Sequence, residues 1–231
     1  MKLGIFTDPH YSSQELTCAV RFNSLSLGKI KEAYKYFVKE NCDIIVCLGD
    51  LTDLEDSHSK EKENLEKIAA VINDCPIPTV CVMGNHDAFA FTVEEFYSVL
   101  GICRPENLVI NGKNLIFLDA CYLKSGRHYI PGDSDWTDTF LPDADKFKEL
   151  LEKAEGDCYI FIHQNISPEA EARHRLASAD AIHAILRDSG KVRTVFEGHY
   201  HPGAHTVWDG VEYRTLSAMC EGEDRFFIFD I

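Results

Sequence analysis

The sequence predicts an α/β fold, with a helix-covered parallel sheet in its front half and a second, more antiparallel sheet behind it. Three observations carry that prediction. Short runs apolar on both faces alternate with segments of helical periodicity as far as residue 83. A hairpin signal, Asn111-Gly112, then breaks the alternation. Finally, five apolar runs stop at clusters of imidazole, carboxylate and amide side chains, which strand packing gives no reason to place there.

Leu3 to Thr7 reads as a strand ending at Asp8-Pro9-His10. Leu27, Ile30, Tyr34, Phe37 and Val38 keep helical spacing up to Asn41. Ile44 to Leu48 is a second buried strand, ending at Gly49-Asp50-Leu51-Thr52-Asp53. Leu65, Ile68, Ala69 and Ile72 mark another helix. The run from Val80 to Met83 is a third strand, bounded upstream by Pro76 and Pro78 and ended by Gly84-Asn85-His86-Asp87. Strands that are apolar on both faces and separated by helices belong in a parallel sheet.

Thr92-Val93-Glu94-Glu95 forms a capping box for a short helix through Leu100. The Asn111-Gly112 turn joins Leu108–Ile110 to Leu115–Leu118. Residues 122–142 are irregular, with Gly126, Pro131, Gly132 and Pro142, and a loop of that length points to function or mobility. Phe147, Leu150, Leu151 and Ala154 give a helix, and Cys158 to Ile162 a strand ending at His163. Ser178 is placed to cap a helix carrying Ile182, Ile185 and Leu186. Val192 to Phe196 is the next strand and ends at Glu197-Gly198-His199-Tyr200-His201. Two strands around Asp209-Gly210 and the run Phe226 to Ile231 are expected to complete the second sheet.

At 231 residues the chain can bury about three quarters of its unfolded surface, as one domain over 1–231. A formal net charge of −15 disfavours nucleic acid as the main partner, because phosphate contacts need clustered Lys and Arg. Nine cysteines, with no C-x-x-C pair and with Cys47, Cys81 and Cys158 inside apolar runs, read as reduced small hydrophobes. No run approaches the length of a membrane span. The expectation is a soluble, cytoplasmic protein.

The strand ends deliver Asp8 and His10, then Asp50 and Asp53, then Asn85, His86 and Asp87, then His163, and finally His199 and His201. One histidine after a strand is more often structural than a ligand. Five successive sets exceed what packing produces, and they hold too many ligands for one ion. Two divalent cations sharing a carboxylate fit the inventory, and thiolates are missing from it. Cations about 3.5–4 Å apart can share a water, lower its pKa and clamp two phosphoryl oxygens.

The series Asp8-x-His10, Gly49-Asp50-x-x-Asp53, Gly84-Asn85-His86-Asp87, His163 and Gly198-His199-x-His201 resembles the calcineurin-like metallophosphoesterase family. It is most similar to small bacterial members related to cyclic-nucleotide phosphodiesterases and manganese-dependent ADP-ribose/CDP-alcohol diphosphatases. The resemblance implies a four-layer α/β/β/α sandwich of two mixed sheets, with the metal site at the strand C-terminal ends. It implies one metal on Asp8, His10 and His201, another on Asn85, His163 and His199, and Asp50 bridging both. It also implies that His86 acts on the substrate phosphate or leaving group, that Asp87 orients His86, and that Asp53 supports the site. Manganese or iron would fill it, and zinc suits the same donors. The implied substrate is a small phosphodiester or pyrophosphate-linked molecule, a cyclic nucleotide or nucleoside-diphosphate type. The alternatives are a phosphomonoesterase of the same family and a non-catalytic metal-binding scaffold. Two positions depart from relatives: Gln164-Asn165 follows His163, and Leu54 stands where several subfamilies place Arg.

Other candidates read as structural. His58, His183 and His205 suit the surface or a supporting role, Arg173-His174-Arg175 a solvated basic turn, and Glu61-Lys62-Glu63 a solvated helix face. His128, Tyr129 and Trp136 could stack a nucleobase or fold the long loop onto the body.

Overall fold

The computed structural model describes residues 1–104, 107–133, 144–223 and 225–231. Trp136 and much of the 122–142 loop therefore lie outside the described residues. The elements run β1 (Lys2–Phe6), α1 (Ser26–Lys39), β2 (Ile44–Cys47), α2 (His58–Asn73), β3 (Thr79–Cys81), α3 (Asn85–Ala90) and α4 (Val93–Leu100). They continue with β4 (Asn107–Ile110), β5 (Lys113–Leu118), α5 (Ala144–Lys153), β6 (Cys158–Ile162), α6 (Ala179–Ser189) and β7 (Val192–Glu197). The chain closes with β8 (Ala204–Trp208), β9 (Val211–Thr215) and β10 (Phe226–Asp230).

Two sheets form, ordered β10-β1-β2-β3 and β4-β5-β6-β7-β9-β8. Their facing sides share one apolar layer, in which Leu3, Ile5, Val46 and Val82 meet Leu115, Phe161 and Phe196. The outer side of the first sheet is covered by α1, α2 and α4, through residues such as Ile30, Phe37, Leu65, Ile68 and Leu100. The outer side of the second is covered by α5 and α6, through Phe147, Leu151, Ile182 and Leu186. The result is the four-layer α/β/β/α sandwich. Because Phe37 is wholly buried, truncating it to Ala would cost about 3–5 kcal/mol. Among the described residues no helix is long and apolar enough to cross a membrane.

Local signals act as their chemistry dictates. Asn111 and Gly112 both take positive φ, 53° and 74°, the geometry of a tight hairpin turn between β4 and β5. The Thr92 side chain accepts from Glu95 N at 3.2 Å and caps α4. Ser178 precedes α6 without a side-chain capping bond.

Two expectations about the sheets are corrected. β10 joins the first sheet, antiparallel to β1 with Leu3 opposite Phe229. It is apolar on both sides: Phe226 and Ile228 face the helix layer, while Phe227 and Phe229 face the inter-sheet core. Such a strand belongs in a sheet covered on both faces. The second sheet is antiparallel only at its edge hairpins, since β5, β6, β7 and β9 run parallel. Helices α5 and α6 supply the crossovers that parallel pairing requires.

The parallel direction in both sheets matters for function. It brings the ends of β1, β2, β3, β6 and β7 to one edge of the sandwich, where open α/β sheets bind their ligands.

Candidate active site

The loops at this edge are unusually constrained. Asp8, His10, Asp50 and His199 all adopt positive φ, between 46° and 65°. Residues without glycine's freedom pay for that conformation, so the surrounding bonds must impose it. Asp8 N donates to Gly49 O at 3.1 Å, and His10 N to Asp50 O at 2.9 Å, locking the β1 and β2 loops together. Two glycines leave room for the carboxylates. A Cβ on Gly84 would collide with the Asp50 carboxylate, and one on Gly198 with Thr7 Oγ1 and the Asp8 carboxylate.

The side chains gather into two halves around Asp50. In the first, His10 Nε2 lies 3.2 Å from His201 Nε2. Asp8 Oδ1 is 3.6 Å from the former and 3.4 Å from the latter, and it is buried without a hydrogen-bond partner among the described residues. In the second, His163 Nε2 lies 3.0 Å from Asn85 Oδ1, and the His199 ring packs against His163 at 5.2 Å. One oxygen faces both halves: Asp50 Oδ2 is 3.5 Å from His10 Nε2 and 3.3 Å from His163 Nε2. Asp8, His10, Asp50, Asn85, His163 and His199 are all buried.

Two of the rings are held by their other nitrogen. His163 Nδ1 donates to Leu48 O at 2.7 Å, and His201 Nδ1 donates to Glu221 Oε1 at 2.5 Å. Both partners accept, so Nε2 of each ring is the atom presented to the site.

The electrostatics show what the two halves want. Burial pushes His163 down, but the Asp50 and Asp8 charges outweigh it and raise its pKa to about 9. His201 is likewise penalised by burial and raised to about 11, chiefly by Asp8. Their partners move the other way, as burial and neighbouring cations take His10 down to about 4 and His199 to about 3. Burial opposes the ionised Asp50, yet the imidazoles around it hold its pKa well below the usual carboxylate range. Each half thus stabilises a positive charge between converging donors. The nitrogen, carboxylate and amide set, with an orphaned Asp8 Oδ1 aimed into it, fits one divalent cation per half.

His86 packs edge-on against His10, with ring centroids 4.5 Å apart, and groups with His10 and Asp50. Its side chain is 23% exposed, and its Nδ1 is bonded to Asp53 Oδ1 at 3.0 Å. Its backbone N donates to Asp50 Oδ1 at 2.8 Å. Asp53 is itself held by Asn23 Nδ2 at 2.9 Å and by an ion pair with Arg21 at 3.5 Å. The expected role of Asp87 is corrected here. Its carboxylate accepts from Leu51 N and Gly84 N, at 2.9 and 3.0 Å, which braces the β2 loop against the start of α3. Burial and the Asp50 charge push its pKa up to about 7. The carboxylate bonded to the His86 ring is Asp53, not Asp87, because α3 begins at Asn85 and turns Asp87 inward.

Several contributors escaped the sequence reading. Glu221 and Cys220 come from a short 3-10 turn, Met219–Glu221, docked on the β1 loop by Met219 N→Thr7 O and Cys220 N→Asp8 O. Cys220, His10 and His201 form one grouping whose ligand atoms all lie within 4.8 Å of one another. His174 sits at the rim, with its ring 5.5 Å from His199 and 5.2 Å from Tyr200, whereas its neighbours Arg173 and Arg175 pair with Glu171 and Asp180. Glu61 is buried and accepts from Glu55 N, so that segment is not simply a solvated face. Tyr129 is buried against Phe89 and His128 bonds Asp119, so both fold the loop onto the body. His58 pairs with Glu95, His205 with Glu212, and His183 with Ile166 O. The two departures also find places: Asn165 Nδ2 donates to Glu197 Oε2 and Gly198 O, tying β6 to β7, while Leu54 is exposed.

Two histidine-carboxylate clusters sharing one aspartate, at the common edge of two sheets, have the make-up of a two-metal centre. The profile described as calcineurin-like phosphoesterase matches residues 1–203. The chain belongs to the calcineurin-like phosphoesterase family and is a metal-dependent phosphoesterase. It is 25% identical over 219 residues to a probable cyclic nucleotide phosphodiesterase of Psychrobacter arcticus, covering 93% of this chain and 74% of that one. A protein of the same description from Rhodopseudomonas palustris is also 25% identical, covering 92% of this chain and 76% of that one. Among solved structures, a dimetal phosphatase from Danio rerio superposes with a TM-score of 0.83 at 17% identity. That match covers 98% of this chain and 91% of the other, and at such identity it speaks to the fold.

Proposed function

We propose that this chain hydrolyses a phosphodiester or pyrophosphate-linked small molecule, of the cyclic-nucleotide or nucleoside-diphosphate type, using two divalent cations. The observation that carries the reading is Asp50 Oδ2, which faces the donor atoms of both halves within 3.5 Å. Asp8, His10 and His201 would hold one cation, Asn85, His163 and His199 the other, with Asp50 between them. Manganese or iron suits these donors, and zinc is compatible. Bound there, the pair would supply an activated water and offset charge on the phosphoryl oxygens.

The chain's own residues supply the rest. Asp53 grips Nδ1 of the partly exposed His86 side chain, which leaves Nε2 as the nitrogen for the substrate. Asp50 and Asp53 overcome the burial penalty and raise the His86 pKa, which favours the protonated ring as donor to the leaving oxygen. The names of the bacterial relatives support a diester substrate, and the net charge of −15 favours a small one over a nucleic acid.

The test is a panel of cyclic nucleotides, nucleoside-diphosphate sugars, a chromogenic diester and phosphomonoesters, assayed with the manganese-loaded protein. Turnover of diesters or pyrophosphates above monoesters is expected, with His86→Ala about 10²–10⁴-fold slower. A His86→Ala variant as active as the parent would contradict the assigned acid.

A further inference from the structure

Cys220 differs from the other buried cysteines. Cys42, Cys47, Cys81 and Cys121 lie within the helix-covered apolar cluster of the first sheet, and Cys158 within that of the second. Among the described residues Cys220 is the one buried cysteine that joins no apolar cluster, although its neighbour Met219 does. Hydrophobic packing therefore does not account for it.

Its surroundings are polar and converge on one point. The Cys220 backbone is clamped from both sides, its N donating to Asp8 O at 3.1 Å and its O accepting from Phe22 N at 2.9 Å. That clamp sets Sγ within 4.8 Å of ring nitrogens of both His10 and His201. A cation with bonds of about 2.3 Å to sulfur and about 2.1 Å to nitrogen spans ligand atoms up to about 4.4 Å apart. Asp8 Oδ1, buried and without a hydrogen-bond partner, points at the same two rings from 3.4 and 3.6 Å. Two imidazoles and a thiol thus lie close to one another, and a buried carboxylate oxygen faces the same two rings.

We propose that the Cys220 sulfur is a ligand of the cation held by Asp8, His10 and His201. This inference rests on the two-cation reading above. The consequence is asymmetry: a sulfur ligand selects zinc, cobalt or ferrous iron over manganese in that half. The other half offers only nitrogen and oxygen. A coordinated sulfur is a thiolate, so binding there releases a proton.

The test is cobalt reconstitution of the whole chain, read by absorption, metal content and cobalt X-ray absorption. The wild type is expected to bind two cobalt ions and to show a near-ultraviolet thiolate-to-cobalt charge-transfer band. One sulfur scatterer per two cobalt ions, at about 2.3 Å, should accompany it. Cys220→Ser should lose the band, whereas Cys121→Ser, a buried apolar cysteine, should keep it. Two bound ions with no band and no sulfur scatterer in the wild type would overturn the proposal, without needing any variant to fold. A band that persists in folded Cys220→Ser would overturn it equally. No cobalt binding at all would instead remove the two-cation reading, and the proposal with it.

Discussion

The two halves of the site use similar donors but are held differently. The Asn85/His163/His199 half is anchored by backbone: His163 leans on Leu48 O, and the strand-end loops of β2, β3 and β6 surround it. The Asp8/His10/His201 half shares the backbone bonds of Asp8 and His10 to the β2 loop but draws also on side chains from a late turn, with Glu221 gripping His201 and Cys220 beside both rings. A backbone carbonyl is fixed by the sheet itself, whereas a carboxylate on a 3-10 turn stays in place only while the turn stays docked. The first half is therefore held within the strand-end loops, and the second depends in addition on the docking of the Met219–Glu221 turn on the β1 loop.

That contrast can be broken or sharpened by substitution, starting with the residue common to both halves. Asp50→Asn should abolish hydrolysis and lower metal content in both halves, measured by turnover and metal analysis. His163→Ala and His201→Ala should each remove about one cation per chain, and equal loss of both ions in either variant would erase the distinction. Glu221→Gln should weaken one cation only, by about 10–100-fold in affinity, with the other unchanged in a metal titration.

The smallest effect is expected away from both halves. Asp119 is largely shielded from water, which raises its pKa, but His128 and Arg104 more than offset that and hold it low. Its contribution to stability is present above the unfolded value of about 3.9 and is lost as pH falls through the lower folded value. Asp119→Asn should cost about 1–3 kcal/mol near neutrality and flatten the acid side of a denaturant-midpoint profile. Metal content should not change.

Much of this architecture was readable because the chemistry of strand ends is hard to imitate by packing. Asp8, Asp50, Asn85, His163 and His199 each follow an apolar run that has no structural use for them. The partner of His86 was not readable, since the choice between Asp53 and Asp87 depends on where α3 begins. Glu221 and Cys220 were hidden for a different reason. They follow His201 by some twenty residues across a hairpin, and only the docking of the Met219–Glu221 turn on the β1 loop makes them neighbours of the site. The sheet that takes the last strand is not legible in a run apolar on both sides, and only the pairing of Leu3 with Phe229 decides it.

The central claim is that Asp50 joins two cations in one site. Electron paramagnetic resonance of the metal-free protein titrated with manganese addresses it most directly. The account predicts saturation at two ions per chain with a spin-coupled signal, which Asp50→Asn loses. Saturation at one ion, or two ions whose signals are uncoupled, would contradict it.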